Sequence, residues 1–257
     1  VLYLQGVIGA VAVVISVAFW TSFLHELEHD LIHFMYFKKN KFMHDLMMLG
    51  VWVFRPMTIN PWLRRILHFH HHRVSGTKID LEERGLTNGE AWSLKRLLTM
   101  TDLLFGGVVR AHQIRKDVIE AVKNGELPKE QALQFKKVKV YGMLPFTLAL
   151  YFIWYFFLLH HTVHFVAQLA GWQYQSPAFI EAQFSWINPL VIILILPNFL
   201  RMFCLHFITS NMHYYGDVEA GNVMQQTQVL NKWYFVPFQV FCFNFGSTHA
   251  IHHFVVN

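Results

Sequence analysis

The stretch HFHHH at residues 68–72 puts four histidines in five positions, and a related run, HAIHH, occupies residues 249–253. Each contains the spacing HxxHH, as His68, His71, His72 and as His249, His252, His253. A third group, HELEH, holds His25 and His29 four residues apart, and NMHYYGD carries His213 alone. Side chains four apart share a helix face, so His25 and His29 can aim two imidazoles at one ion. In HxxHH the first and fourth positions share a face while the adjacent histidine points elsewhere, so one box can serve two ions. A lone histidine is ordinarily a hydrogen-bonded polar residue, but two HxxHH boxes and an HxxxH together point to metal ligation. Thiolates take no part: Cys204 and Cys242 are the only cysteines and form no CxxC pair, which excludes a disulfide framework, a zinc ribbon and an iron–sulfur cluster.

The elements that must position these residues are those of a membrane protein. Hydrophobic residues make up 54% of the 257, aromatics 16% and charged residues only 14%, where soluble proteins carry about 25%. Three apolar stretches, 2–24, 143–167 and 188–208, each approach the ~20 residues a spanning helix needs. Two shorter ones, 46–54 and 97–109, suit an interfacial or re-entrant path. Residues 110–139 are polar and predict helical segments broken at Gly125 and Pro128. The expected fold class is all-α: one multi-pass integral membrane domain over 1–257, trimmed at both ends, since the chain opens without Met and stops four residues after a histidine pair. No signal peptide is visible.

Orientation follows from the basic residues. Of 21 Lys and Arg, none lies between 142 and 200, and only Arg201 and Lys232 come later. The positive-inside rule places the loop 171–186 outside and the Lys/Arg-rich connection in the cytoplasm. Counting crossings from there brings every histidine box outside the spans to the cytoplasmic face.

HxxxH, then HxxHH, an isolated His and a second HxxHH resembles the membrane fatty acid desaturase and hydroxylase superfamily, which includes the alkane hydroxylases. HELEHD is similar to the first box of alkane hydroxylases, and HHHRVSGTKID to the polar tail after the second box of desaturases. The resemblance runs from His25 to His253 and implies a di-iron centre that activates dioxygen to take hydrogen from an aliphatic carbon. Carried over position by position, it implies His25, His29, His68, His71, His72, His213, His249, His252 and His253 as metal ligands. His33 and His70 compete with them for register. Imidazole suits zinc, copper, iron and nickel, but attack on an unactivated C–H bond needs a metal that changes oxidation state, which favours iron over zinc. Asp30, Asp80, Glu82, Glu83, Asn211 and Asp217 are near enough in sequence to orient the imidazoles. The chain has no flavin motif or haem-attachment sequence, so electrons come from outside; the resemblance implies a ferredoxin, rubredoxin or cytochrome with its reductase. The net charge of +5 would steer an acidic donor.

The boxes do not select a product. A carbon radical can lose a second hydrogen to give an alkene, take oxygen to give an alcohol, or, β to a carboxylate, lose an electron and carbon dioxide to leave a terminal alkene. The boxes and LEERGLTNGE most resemble the desaturase-like bacterial fatty acid decarboxylases that make 1-alkenes, which implies a bacterial inner membrane and a free fatty acid substrate. Arg64, Arg65, Arg73 or Lys78 would then pair with the carboxylate. HELEH also reads as HExxH, with Glu26 the base of a zinc protease, but that leaves the boxes at 68 and 249 without a task. A metal transporter or haem carrier is the non-enzyme rival, favoured by the intramembrane His160, His161, His164 and His206; transport sites belong near the bilayer midplane, and the boxes lie outside it. For His160, His161 and His164 packing and hydrogen bonding near the outer interface is expected. His206 stands as a further group behind the ligands, and His44 and His112 as surface residues. Pro197 and Asn198 should kink the third span and free a carbonyl. Met47, Met48, Trp52 and Phe54 suit lipid contact or core packing better than an acyl-chain groove.

Overall fold

The computed structural model describes residues 1–84, 90–213, 218–219 and 222–255. In chain order the helices are α1 (Ala10–Thr21), α2 (Phe23–Ile32), α3 (Lys41–Phe54), α4 (Pro61–Val74), α5 (Leu81–Arg84), α6 (Leu94–Thr101), α7 (Leu103–Lys123), α8 (Lys129–Tyr141) and α9 (Phe146–Leu169). They continue as α10 (Ala178–Glu181), α11 (Phe184–Leu190), α12 (Leu196–Met212), α13 (Val223–Gln226), α14 (Val236–Gln239) and α15 (Phe245–Val255). Among the described residues there is no strand, only an isolated bridge between His213 and Thr227. The all-α membrane expectation holds.

Three helical stretches are long and apolar enough to span: Ala10–Ile32, Phe146–Leu169 and Ala178–Met212. Their outer faces expose Val11, Phe19, Phe152, Leu159 and Phe165, as contact with hydrocarbon requires. The first and third are displaced from the apolar runs in the sequence. Residues 1–9 form turns, and α2 continues α1 with only Ser22 between, so the first span carries HELEH within its own last turns. The third begins in the segment 178–186, where α10 and α11 replace much of the expected loop.

In the third span α11 and α12 are joined by a π-helical turn, Val191–Ile195, immediately before Pro197. Pro197 has no N–H to donate, and the wider turn absorbs the mismatch. The Asn198 amide donates to the carbonyl of Leu194 at 2.9 Å and accepts from Arg201 Nη2 at 3.0 Å. The Asn198 side chain thus ties the carbonyl of Leu194, next to the one that Pro197 leaves without its N–H, to Arg201.

Local signals set the histidine-bearing helices. Asn60 caps α4, its Oδ1 accepting from the N–H groups of Trp62 and Leu63 at 3.0 and 3.4 Å, and Pro61 fills the first helical position, where its missing N–H costs nothing. α2 packs on α3 and α4, and α12 packs on α1, α6 and α15. Met48 and Trp52 of α3 are buried while Phe54 is exposed, so this stretch serves core and lipid contact. α15 approaches α12 closely at Gly246, where a Cβ would lie 2.7 Å from Ile208 Cγ2 and 3.2 Å from both Gln239 Oε1 and Leu230 Cβ. Gly246→Ala is expected to push α15 outward at a cost of about 1–3 kcal/mol and to lower bound metal, because three box histidines follow within two turns; thermal unfolding and metal content of the purified variant check this.

Candidate metal centre

Nine histidines converge in two adjoining groups. His29, His33, His68, His72 and His252 offer ring nitrogens that all lie within 4.8 Å of one another, and His71, His213, His249 and His253 do the same. Helix geometry explains the division. On α4, His68 and His72 are four apart and enter the five-membered group, while His71 turns into the other. On α15, His249 and His253 are four apart and enter the four-membered group, while His252 joins the first. Each HxxHH box thus serves both groups, but its first and fifth positions pair, not its first and fourth. His213 follows the last residue of α12 in an extended conformation, which carries its ring to the second group.

The first box takes a register that sequence spacing leaves open. His25, His29 and His33 stand four residues apart, and it is His29 and His33 that enter the five-membered group. His25 lies one turn deeper, edge-on to Phe245 with ring centroids 4.9 Å apart, outside both groups. Both of its ring nitrogens are buried without a hydrogen-bond partner among the described residues. His70 points away, its Nε2 toward the Ile79 carbonyl and its Nδ1 toward Gln131, each at 2.9 Å.

Two of the expected orienting carboxylates meet their imidazoles. Asp80 Oδ2 accepts from His71 Nδ1 at 2.8 Å, and Glu82 Oε2 from His68 Nδ1 at 2.9 Å. Each bond fixes the tautomer that leaves Nε2 free for a ligand role. Glu83 donates its N–H to Asp80 Oδ1 at 3.4 Å. Asn211 binds the backbone carbonyl of Phe207, Asp30 pairs with Tyr36, and neither meets a box imidazole. Asp217 lies outside the described residues. His44 is buried rather than surface-exposed, held between the Tyr36 carbonyl and Arg65 Nη2 at 3.2 and 2.8 Å; His112 is exposed.

The donor set fits metal ions. Nε2 atoms of His68 and His33, His72 and His68, His252 and His33, and His252 and His72 stand 2.9–3.1 Å apart. Two ligand atoms on bonds of about 2.1 Å at right angles would lie about 3.0 Å apart. Four imidazoles cannot all hydrogen-bond one another at such distances, and His29 Nε2 is buried with no hydrogen-bond partner among the described residues. Burial holds His33 down to about 4 and His252 to about 3, and lowers His68, His213, His249 and His253 as well. Neutral imidazoles with free lone pairs are the form a cation requires. His71 differs: burial pulls its pKa down, but the charges of Asp80 and then Glu82 outweigh it and raise the ring to about 9, so an entering metal displaces a proton there.

A partly open cavity of about 130 Å³ lies beside both groups. Leu67, Leu81, Leu103, Met202 and Leu205 give it apolar walls, and His25, Arg55, Arg64 and His206 add polar ones. Arg55 ion-pairs with the fully buried Glu28, which also receives Arg64 Nη1 at 2.7 Å; Arg64 Nε reaches Glu82 at 3.0 Å. Burial lowers Arg55 to about 10, and its Nε has no hydrogen-bond partner among the described residues. Of the four cations expected at a substrate carboxylate, only Arg64 lines this cavity. Arg65 and Arg73 line a separate open cleft with His33 and His72, and Lys78 is exposed. Arg55 was missed because an arginine directly after an apolar run reads as the cation of a membrane interface.

A family model described as fatty acid desaturase matches residues 6–257, nearly the whole chain. No curated protein and no solved structure matches.

Proposed function

The chain belongs to the fatty acid desaturase family, and from that premise we propose that it is a di-iron oxidase that converts a free fatty acid to a terminal alkene one carbon shorter. Membership makes it a membrane oxidoreductase of fatty acyl chains that uses dioxygen and external electrons. The HExxH protease reading loses its pair of ligands, since His25 and His29 do not share a group.

One observation carries the finer reading: the cavity beside the histidine groups holds His25 with both ring nitrogens unpartnered and Arg55 with an unpartnered Nε. Buried polar atoms without partners are costly, and a carboxylate in this cavity could accept from Arg55 Nε and from one ring N–H of His25. An acid head held there brings the carbons next to it, rather than the middle of the chain, to the metal groups. Two irons, held by the five and the four histidines, would supply the oxidising power to take hydrogen from the carbon β to the carboxylate. The chain's own residues do the rest. Arg55 and Arg64 orient the carboxylate, the leucine and methionine walls exclude water, and Asp80 and Glu82 keep His71 and His68 aligned. Fatty acid carboxylate, dioxygen, two electrons and three protons balance alkene, carbon dioxide and two waters.

The open cleft lined by Arg65, Arg73, His33 and His72 suits an acidic ferredoxin, rubredoxin or cytochrome, since two proposed ligands form its floor. The distribution of Lys and Arg favours the cytoplasmic face of a bacterial inner membrane for this cleft. Internal desaturation or hydroxylation is the alternative outcome at the same centre.

The test is mass spectrometry of products from C12 to C18 free acids supplied with oxygen and a reduced ferredoxin system. A 1-alkene one carbon shorter, slowed by deuterium at C3 and keeping deuterium at C2, is expected. An unsaturated or hydroxylated acid of unchanged carbon number overturns the decarboxylation reading and leaves the family assignment intact.

A further inference from the structure

A second set of metal-binding side chains lies at the far end of the second span. His160 and His164 are one turn apart on α9, and Glu181 ends α10; their ligand atoms all fall within 4.8 Å of one another. His164 Nε2 stands 3.6 Å from Glu181 Oε1, and Ser176 Oγ sits 2.7 Å from His164 Nε2 and 3.5 Å from His160 Nδ1. The nitrogens of both rings therefore face one spot, beside a hydroxyl and a carboxylate.

This set is separate from the nine-histidine centre. The other end of α9 is anchored near the cavity beside the histidine groups, where Thr147 Oγ1 donates to the carbonyls of Pro56 and Thr58 at 2.6 and 2.7 Å, and Thr58 lines that cavity. From Thr147 to His164 a helix rising 1.5 Å per residue covers about 25 Å. The two sites lie toward opposite ends of the span.

The rings are held in place. His160 stacks on the buried Phe184 with centroids 3.8 Å apart and planes at 26°, and His164 meets Tyr174 edge-on at 5.1 Å. No Lys or Arg lies between 142 and 200, and among the described residues the ion-pair partner of Glu181 is His164.

We propose that His160, His164 and Glu181 form a peripheral site for a divalent borderline metal, zinc, that clips the outer end of the second span to the start of the third. Two imidazoles and a carboxylate are a common zinc donor set, with water or the Ser176 hydroxyl as the fourth ligand. The clip joins α9 to α10 across the turn at 170–177, which backbone hydrogen bonds alone bridge only in part. The site needs no electron donor and stands whichever product the enzyme makes.

The test uses the iron-loaded protein in detergent, so that the nine-histidine centre is already filled. Zinc chloride is added, loosely held metal is removed by desalting, and zinc and iron are counted per chain. One zinc retained with iron unchanged is expected, and a rise in the unfolding temperature on zinc addition accompanies it. Glu181→Gln, an isosteric change at a half-exposed position, should weaken zinc retention at least tenfold, as should His164→Ala; substitution of His161, which packs on Phe157 outside the set, by Ala should not. No zinc retained by the iron-loaded protein, zinc gained only as iron is lost, or zinc retention at the unsubstituted level in Glu181→Gln and in the His160→Ala/His164→Ala double variant would each overturn the proposal.

Discussion

His33→Ala is expected to lose about one of two irons per chain and at least about a hundredfold in turnover, because even partners that only orient a metal ligand are worth 10- to 100-fold. His25→Ala is expected to behave oppositely. Its ring nitrogens lie outside both groups, so both irons stay, and the loss appears in binding of the free acid. A hydrogen bond to a charged group contributes about 1.5–3 kcal/mol, or roughly ten- to a hundredfold in KM. Iron content and steady-state kinetics of the two variants side by side decide the matter. Iron lost from His25→Ala and kept in His33→Ala would reverse the register of the first box and remove His25 from the substrate cavity. His252→Ala is the control that should lose metal under either register.

That register was not legible in the sequence, and the reason is geometric. His25, His29 and His33 form an evenly spaced ladder along one helix face, and local periodicity ranks no pair of rungs above another. The choice is made where α2 ends, at Ile32, and where α4 and α15 bring His68 and His252 against it. That the boxes on α4 and α15 would converge was legible because a doubled histidine at helix spacing has few other uses. Which of their members pair was not, since i,i+3 and i,i+4 neighbours diverge by a small rotation that only the partner helix fixes. Asp80 and Glu82 were within reach as orienting groups because the turn after α4 returns the chain over its own last residues. Asp30 and Asn211, equally close to a histidine in sequence, point to Tyr36 and the Phe207 carbonyl instead. His44 read as a surface residue because its two partners, the Tyr36 carbonyl and Arg65, come from the turn before α3 and from α4.

The spans show a related limit. Hydropathy marks apolar residues, whereas a span ends where the helix ends. The first apolar run stops near residue 24, but α2 carries the helix on through Glu28 and His29 to Ile32. Those polar turns are tolerated at this depth because their side chains face other protein groups, not lipid. Charge inside the fold is therefore the price of placing ligands at the membrane boundary, and Glu28 bears most of it.

Glu28→Gln is expected to be among the most destabilising substitutions in the chain. Glu28 is fully buried and accepts from both Arg55 and Arg64. Arg64 retains Glu82 at 3.0 Å when Glu28 is neutralised, but Arg55 then has no carboxylate left within ion-pair distance among the described residues. Stranding one member of a buried pair costs about 3–5 kcal/mol, or roughly 10 °C in unfolding temperature for a chain of this size. The double variant Glu28→Leu/Arg55→Met removes both charges and should recover most of that loss, since replacing a whole buried pair with apolar groups is often close to neutral. It should still fail to turn over free fatty acid, because Arg55 is gone from the cavity wall. Thermal unfolding and product formation measured on the single and double variants therefore separate two roles of one arginine. A double variant as unstable as Glu28→Gln would mean that the network matters by its shape and not by its charge, and one that regains both stability and activity would remove Arg55 from substrate binding.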